Sequence, residues 1–247
     1  MPKFFVNSNQ ILNNKIKIIG NDINHIQNVL RLKQNDEINI SNIDTVKNYV
    51  AKIEKFDGEA IICDIIASSD TLAECNVKIS VFQGLPKADK MEYIIQKSTE
   101  LGAYNFIPVN MKRCIVKLDD KTANKKIERW NKIAESAAKQ SGRDIIPKVE
   151  EIKSISDICS SINNYDILIV AFEGEESNTL KTELKKLTNK ENLKIGIVIG
   201  PEGGIDIEEV NKLQNAGAKI VTLGKRILRT ETAPIAMISN IVYELEM

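Results

Sequence analysis

Eleven residues near the end of the chain, Leu223-Gly224-Lys225-Arg226-Ile227-Leu228-Arg229-Thr230-Glu231-Thr232-Ala233, hold the densest set of groups able to do chemistry. Arg226 and Arg229 flank Ile227 and Leu228. Guanidinium groups stay charged and present planar donors. With an apolar wall between them, they suit a flat, partly apolar ligand that carries a polar end. The same residues also read as a plain helix start, an N-cap threonine beside an Arg–Glu pair. A second segment, Gly200-Pro201-Glu202-Gly203-Gly204, can bring backbone close to a ligand or take positive φ. It reads equally as a tight turn before a capped helix. It is neither G-x-G-x-x-G nor a Walker A loop, so dinucleotide and nucleoside-triphosphate readings lose their main support. A third, Gln83-Gly84-Leu85-Pro86-Lys87-Ala88-Asp89-Lys90, can hold an anion at a helix start, or be only a turn.

The fourth segment is His25-Ile26-Gln27-Asn28-Val29-Leu30-Arg31. His25 and Arg31 fit contact with RNA, although a lone histidine on a short helix is more often structural. His25 is the only histidine. That excludes a metal site built on several histidines, and nothing near it resembles a nucleophile elbow. The four cysteines, Cys63, Cys75, Cys114 and Cys159, show no C-x-x-C spacing and read as reduced thiols. With 34 basic and 34 acidic residues, global charge announces no nucleic-acid partner. A local excess does exist: 112–143 holds ten basic residues against four acidic ones, Lys112, Arg113, Arg129 and Arg143 among them. It reads as a phosphate grip or as a solvated surface. The first residues turn polar at once and no apolar run is long enough to span a bilayer, which points to a cytoplasmic protein.

These residues need elements to hold them. Residues 1–70 read as short strands at 4–6, 16–19, 37–40, 46–53 and 60–66, with one short helix near 22–30 and Asn, Asp and Gly between them. Residues 67–71 read as a linker. The period then changes. Apolar runs at 77–82, 106–109, 167–172, 195–199 and 220–223 alternate with helical faces, among them Met91/Ile94/Ile95/Ser98/Leu101 and Ile235/Ile238/Val242/Leu245. This is the pattern of an α/β domain with a mostly parallel sheet. Asp206 and Glu209 form a capping box, which puts the glycine-rich turn at the carboxyl end of a strand, where such sheets bind ligands.

Together the segments resemble the RsmE family of ribosomal RNA methyltransferases, of the SPOUT superfamily, over nearly the whole chain. The resemblance is carried by His25-x-x-x-Val29-Leu30-Arg31, Lys87-x-Asp89-Lys90 with 96–102, Arg129-Trp130 with 137–143, Ile199 to Gly204, and Leu223 to Ala233. Ile205-Asp206 departs from the family's usual aromatic residue and Ser or Thr, but Asp206 keeps the capping function. The resemblance implies a small N-terminal PUA-like β-barrel that binds RNA (1–70) and a C-terminal α/β methyltransferase domain with a SPOUT-type trefoil knot (74–247). It implies a homodimer acting on the small ribosomal subunit, with no metal and no membrane. The implied reaction moves a methyl group from S-adenosyl-L-methionine to N3 of a uridine in 16S ribosomal RNA.

The cofactor loops would be Phe172-Glu173-Gly174, Ile199-Gly200-Pro201-Glu202-Gly203, and Leu223-Gly224 with Ile227-Leu228. Arg229 would stabilise the uracil anion, and Glu231 would orient it, take the proton, or merely cap the helix. His25, Arg31, Lys112, Arg113, Arg129 and Arg143 would hold RNA. A SPOUT enzyme acting elsewhere on RNA, and a non-catalytic RNA-binding protein, stay open as alternatives.

Overall fold

The computed structural model describes residues 1–69, 73–187 and 192–246. They fall into two compact units, Met1–Glu74 with Ala138–Ile146, and Cys75–Ala137 with Pro147–Met247.

The first unit is a six-stranded sheet built from β1 (Lys3–Val6), β2 (Ile11–Leu12), β3 (Lys15–Ile18), β4 (Glu37–Asn42), β5 (Lys47–Asp57) and β6 (Ala60–Ser69), in the order β1-β4-β5-β6-β3-β2. Only the β1–β4 pair is parallel. Alternation places Ile16, Ile18, Ile38, Ile40, Ile53 and Ile61 in one buried cluster. Cys63 lies there too, and burial pushes its thiol up to about 12, as expected of an inert core residue. Asn13 and Asn14, both at positive φ, close the β2–β3 hairpin. The helix expected near 22–30 is one turn, α1 (Asn21–Asn24), followed by a π-turn over His25–Val29. The expected linker is corrected in part. Ala67, Ser68 and Ser69 continue β6 and pair with Val50, Tyr49 and Asn48, while Asp70 and Thr71 lie outside the described residues.

Residues 138–146 are held in this unit by a buried polar network. Asp144 accepts from Lys3, from Asn48 Nδ2 at 2.5 Å and from the Ala73 amide at 3.1 Å. Glu74 takes the Arg143 guanidinium at 2.5 Å and the amides of Asp144 and Ile145 at 2.8 and 3.1 Å.

The second unit is α/β, as the alternating pattern predicts. Its strands are β7 (Lys78–Gly84), β8 (Ala103–Asn110), the two-residue β9 (Lys148–Val149) and β10 (Lys153–Ser154), β11 (Ile167–Ala171), β12 (Lys194–Ile199) and β13 (Lys219–Val221). They run in the order β10-β8-β7-β12-β11-β13, with β9 on β8, and every pair is parallel. The helices are α2 (Lys90–Glu100), α3 (Asp120–Ser141), α4 (Ile155–Ser161), α5 (Leu180–Leu184), α6 (Ile207–Asn215) and α7 (Thr232–Glu246). Both faces of a parallel sheet are covered, so its strands are apolar almost throughout. Ile195, Ile197, Val198 and Ile199 of β12 are all buried. α6 opens on the capping box read from Asp206 and Glu209, and Ile205 before it is buried in the core. Parallel strands end together, so the loops after β7, β11, β12 and β13 emerge at one edge.

Candidate functional site

Three loops, after β11, β12 and β13, enclose a cleft of about 870 Å³. They are stitched to one another. Phe172 N–H donates to Val221 O at 3.0 Å, Thr222 N–H to Asn178 O at 2.8 Å, and Asn178 Nδ2 to Ile220 O at 2.8 Å. The third loop reaches back across the sheet, where Thr230 Oγ1 donates to the Gly200 carbonyl at 2.7 Å. Gln83, buried at the end of β7, donates through Nε2 to Thr230 Oγ1 at 2.9 Å and to Gly84 O at 3.0 Å.

The sequence-predicted ligand residues meet here. Phe172, Glu173, Ile199, Gly200, Pro201, Glu202, Leu223, Gly224, Ile227 and Leu228 all line the cleft, and so does Arg229. Ile199 is buried and Ile227 is 84% exposed, so the apolar wall runs from the core to the rim. Gly174 and Gly203 do not line it. A Cβ on Gly174 would come within 2.5 Å of the Phe172 ring, so this glycine lets the ring fold back over the turn. The Gly203 carbonyl accepts from Arg113 Nη1 at 3.1 Å. Gly204, at φ +71, shows why this turn needs glycine, because a Cβ there would also meet Glu173 Oε1 at 2.3 Å. Glu175 closes the first loop by accepting from the amides of Asn178 and Ser177 and from the Ser177 hydroxyl, at 2.7 to 2.9 Å. Those donors, led by the Asn178 amide, bring its carboxyl down to about 2.

At one side of the cleft stands a charged cluster in which Glu202 and Glu231 meet a lysine that the sequence reading left out of the site. Lys90 Nζ lies 3.1 Å from Glu202 Oε1 and 3.1 Å from Glu231 Oε2. Glu202 also accepts from the Lys87 amide at 3.1 Å. Burial pushes the Glu231 carboxyl up, but its own backbone amide, Lys90 and Arg229 outweigh that and hold it below the usual carboxylate range. Glu202 behaves alike: burial raises it, while its own amide, Lys90 and the Lys87 amide bring it lower. The carboxylates in turn raise Lys90, Glu231 most and Glu202 next. The signal was the Lys87-x-Asp89-Lys90 run itself, but spacing could not say which acids it meets.

The residues expected to grip RNA are divided between the two units. His25 is exposed in the first unit with its ring edge-on to Phe4, centroids 6.1 Å apart, and Arg31 is exposed at φ 55. Arg143 is corrected. At 4% exposure and bound by Glu74, it is a buried structural arginine with no guanidinium to offer a phosphate. Lys112 pairs with Asp206 and Glu208, Arg113 with Asp206, and Arg129 with Glu92 at 2.8 Å. By contrast Lys121, Lys125 and Lys132, exposed on α3, make no ion pair among the described residues.

Among the described residues no helix is long and apolar enough to cross a membrane, and no three His, Cys, Asp or Glu are grouped as a metal site. Comparison with known proteins gives the following. Residues 73–242 match a family model described as an RNA methyltransferase domain, and 18–66 match one described as an RNA methyltransferase PUA domain. The chain is 39% identical over 236 residues to the ribosomal RNA small subunit methyltransferase E of Bacillus subtilis, covering 93% of this chain and 90% of that protein. The protein of the same description from Mesomycoplasma hyopneumoniae is 30% identical, with 98% and 99% covered. Among solved structures, the ribosomal RNA small subunit methyltransferase E of Neisseria gonorrhoeae, bound to S-adenosyl methionine, superposes with a TM-score of 0.85 at 31% identity, over 98% of this chain and 97% of that one.

Proposed function

The chain belongs to the ribosomal RNA small subunit methyltransferase E family, and from that premise we propose that it methylates N3 of a uridine in 16S ribosomal RNA. It is an S-adenosylmethionine-dependent ribosomal RNA methyltransferase. The observation that carries the reading is the convergence of the loops after β11, β12 and β13 on one cleft, with Arg229 and Glu231 at its edge.

The residues present suit the cofactor. About 870 Å³ is within the range that small-molecule sites occupy. Ile199, Leu223 and Leu228 give apolar walls for an adenine ring, and the glycine-rich turns let main chain come close to its edge. When bound, the cofactor supplies an electrophilic methyl group on a sulfonium. The protein's own work lies in placement and charge. Uracil N3 carries a proton at neutral pH, and its loss spreads negative charge onto the ring oxygens. Arg229, exposed at the cleft, is the fixed cation that favours that anion. Glu231, brought below the usual carboxylate range by its own backbone amide, Lys90 and Arg229, accepts the proton or orients Arg229. A carboxylate with a lowered pKa is a weak base, so the larger share of the work falls to Arg229.

Each part of the chain has its place in this function. Residues 1–70 form the PUA-like, RNA-binding part, and 74–247 the catalytic domain. The C-terminal segment is threaded as a trefoil, a rare feature among folds. What supports this is its course: from edge strand β13 the chain returns past β11 to bond Gly200 at the end of β12, and α7 then packs on α2, α5 and β12. The protein works in the cytoplasm as a homodimer on the small subunit. Exposed lysines of α3 and His25 and Arg31 of the first unit meet phosphates, which basic side chains bind without reading sequence.

Two measurements test the whole. Calorimetric titration with S-adenosylmethionine should show binding. Mass spectrometry of ribosomal RNA nucleosides should show one 3-methyluridine lost when the gene is deleted. An unchanged nucleoside profile rejects the uridine-N3 reading.

A further inference from the structure

Lys90 sits where its helix does not want it. It is the first residue of α2, and a cation at a helix N-terminus opposes the macrodipole. Its ammonium is instead placed between two carboxylates from distant parts of the chain, 3.1 Å from Glu202 in the turn after β12 and 3.1 Å from Glu231 before α7. All three side chains are partly buried, at 29%, 26% and 21% exposure, and Lys90 also lines the cleft. Both carboxylates touch the same nitrogen, so they lie close enough to repel each other once it is gone.

We propose that Lys90 is a positioning residue of the methyl transfer, tying the cofactor turn through Glu202 to the reacting segment through Glu231 and so setting the two in register with one charge. This rests on the function proposed above. The charged groups facing Glu231 are Lys90 from α2 and Arg229 from its own segment, with Glu202 on the far side of Lys90. Removing the ammonium leaves two acids in one place. One of them then takes up a proton at higher pH or swings away. Either change loosens the cofactor turn and moves Glu231.

The test compares wild type with Lys90→Met, Lys90→Gln and Lys90→Arg in the full chain, using small ribosomal subunits and S-adenosylmethionine across a pH series. For Met and Gln the expected result is a cofactor KM raised about tenfold, kcat lowered about tenfold, and an acid limb displaced to higher pH, with Arg restoring most of the cofactor affinity. The double variant Lys90→Met with Glu231→Gln should be little worse than Glu231→Gln alone, because the two act through one contact. A residue that merely stabilises the fold would leave the acid limb in place and add its effect to that of Glu231→Gln, and this outcome overturns the proposal. A carbon-13 titration of the Glu231 carboxyl without substrate provides a separate reading. It should move upward in Lys90→Met, and an unmoved titration rejects the contact. If wild type binds cofactor but methylates no ribosomal RNA, the function reading fails while this titration still decides the role of Lys90.

Discussion

In the function proposed above, Arg229 and Glu231 share one electrostatic site but have unequal work to do. The planar donors of an arginine can meet a ring oxygen as charge develops there. Arg229→Ala should leave folding intact and lower turnover by about 10²–10³, the usual cost of losing one such donor. Wild-type turnover of that variant on small subunits would remove Arg229 from the mechanism. Glu175 gives a prediction in pH. Its carboxyl is brought from 4.5 down to about 2 by the donors it accepts, so the order it lends the loop is complete above 4.5 and is lost as pH falls toward 2. Amide exchange at Ser177 and Asn178 should therefore lose protection across that window. In Glu175→Gln protection should be weak at neutral pH and flat with acidification; a profile like that of wild type would exclude the carboxylate as its source.

At the scale of elements, the site is a consequence of parallel strands. β11, β12 and β13 run the same way, so their following loops meet at one edge, and the capping box at Asp206 and Glu209 fixes where the middle loop must end. Glu209 also accepts from the Lys112 amide at 2.9 Å, so α6 anchors the loop after β8 as well. Gly204 is the tightest point of this arrangement. Gly204→Ala combines a strained φ with a clash against Glu173, and a non-glycine residue there costs more than the ~1 kcal/mol typical of such exchanges. Cofactor affinity should fall at least tenfold by calorimetry, and an unaltered affinity would mean that the turn does not contact the cofactor.

On the scale of the whole molecule, charge separates into what holds the fold and what is left exposed and unpaired among the described residues. Glu74 and Arg143 are nearly buried in the first unit, where Glu74 also accepts from the amides of Asp144 and Ile145. Glu74→Ala should cost about 3–5 kcal/mol, read as a lower denaturant midpoint; a shift under about 1 kcal/mol would show that this carboxylate does not hold residues 138–146 in place. The lysines of α3 belong to the other class. Replacing Lys121, Lys125 and Lys132 together with glutamate should weaken binding to small subunits and flatten the dependence of log Kd on log salt by roughly one unit for each phosphate no longer neutralised. An unchanged salt slope would leave α3 a solvated surface.

Local pattern alone established that the chain changes period near residue 74, that a parallel α/β region follows a β-rich one, that Asp206 caps a helix, and that the glycine-rich turn is no phosphate loop. Each depends on neighbours within a few residues, and both helical and strand periods are local properties. Ala67 to Ser69 misled because small and polar residues at the end of a strand look like a linker, and β9 and β10 are too short to show a period. Strand order is a different kind of fact. That β12 lies between β7 and β11, so that Thr230 can reach Gly200 and Lys90 can hold both Glu202 and Glu231, comes from pairings between residues that are in part more than a hundred positions apart. The fates of Arg143 and Lys112 were decided in the same way. A charged residue reads alike in sequence whether it faces water or a carboxylate, and only tertiary packing chooses, because desolvation and pairing are set by what surrounds the group in space.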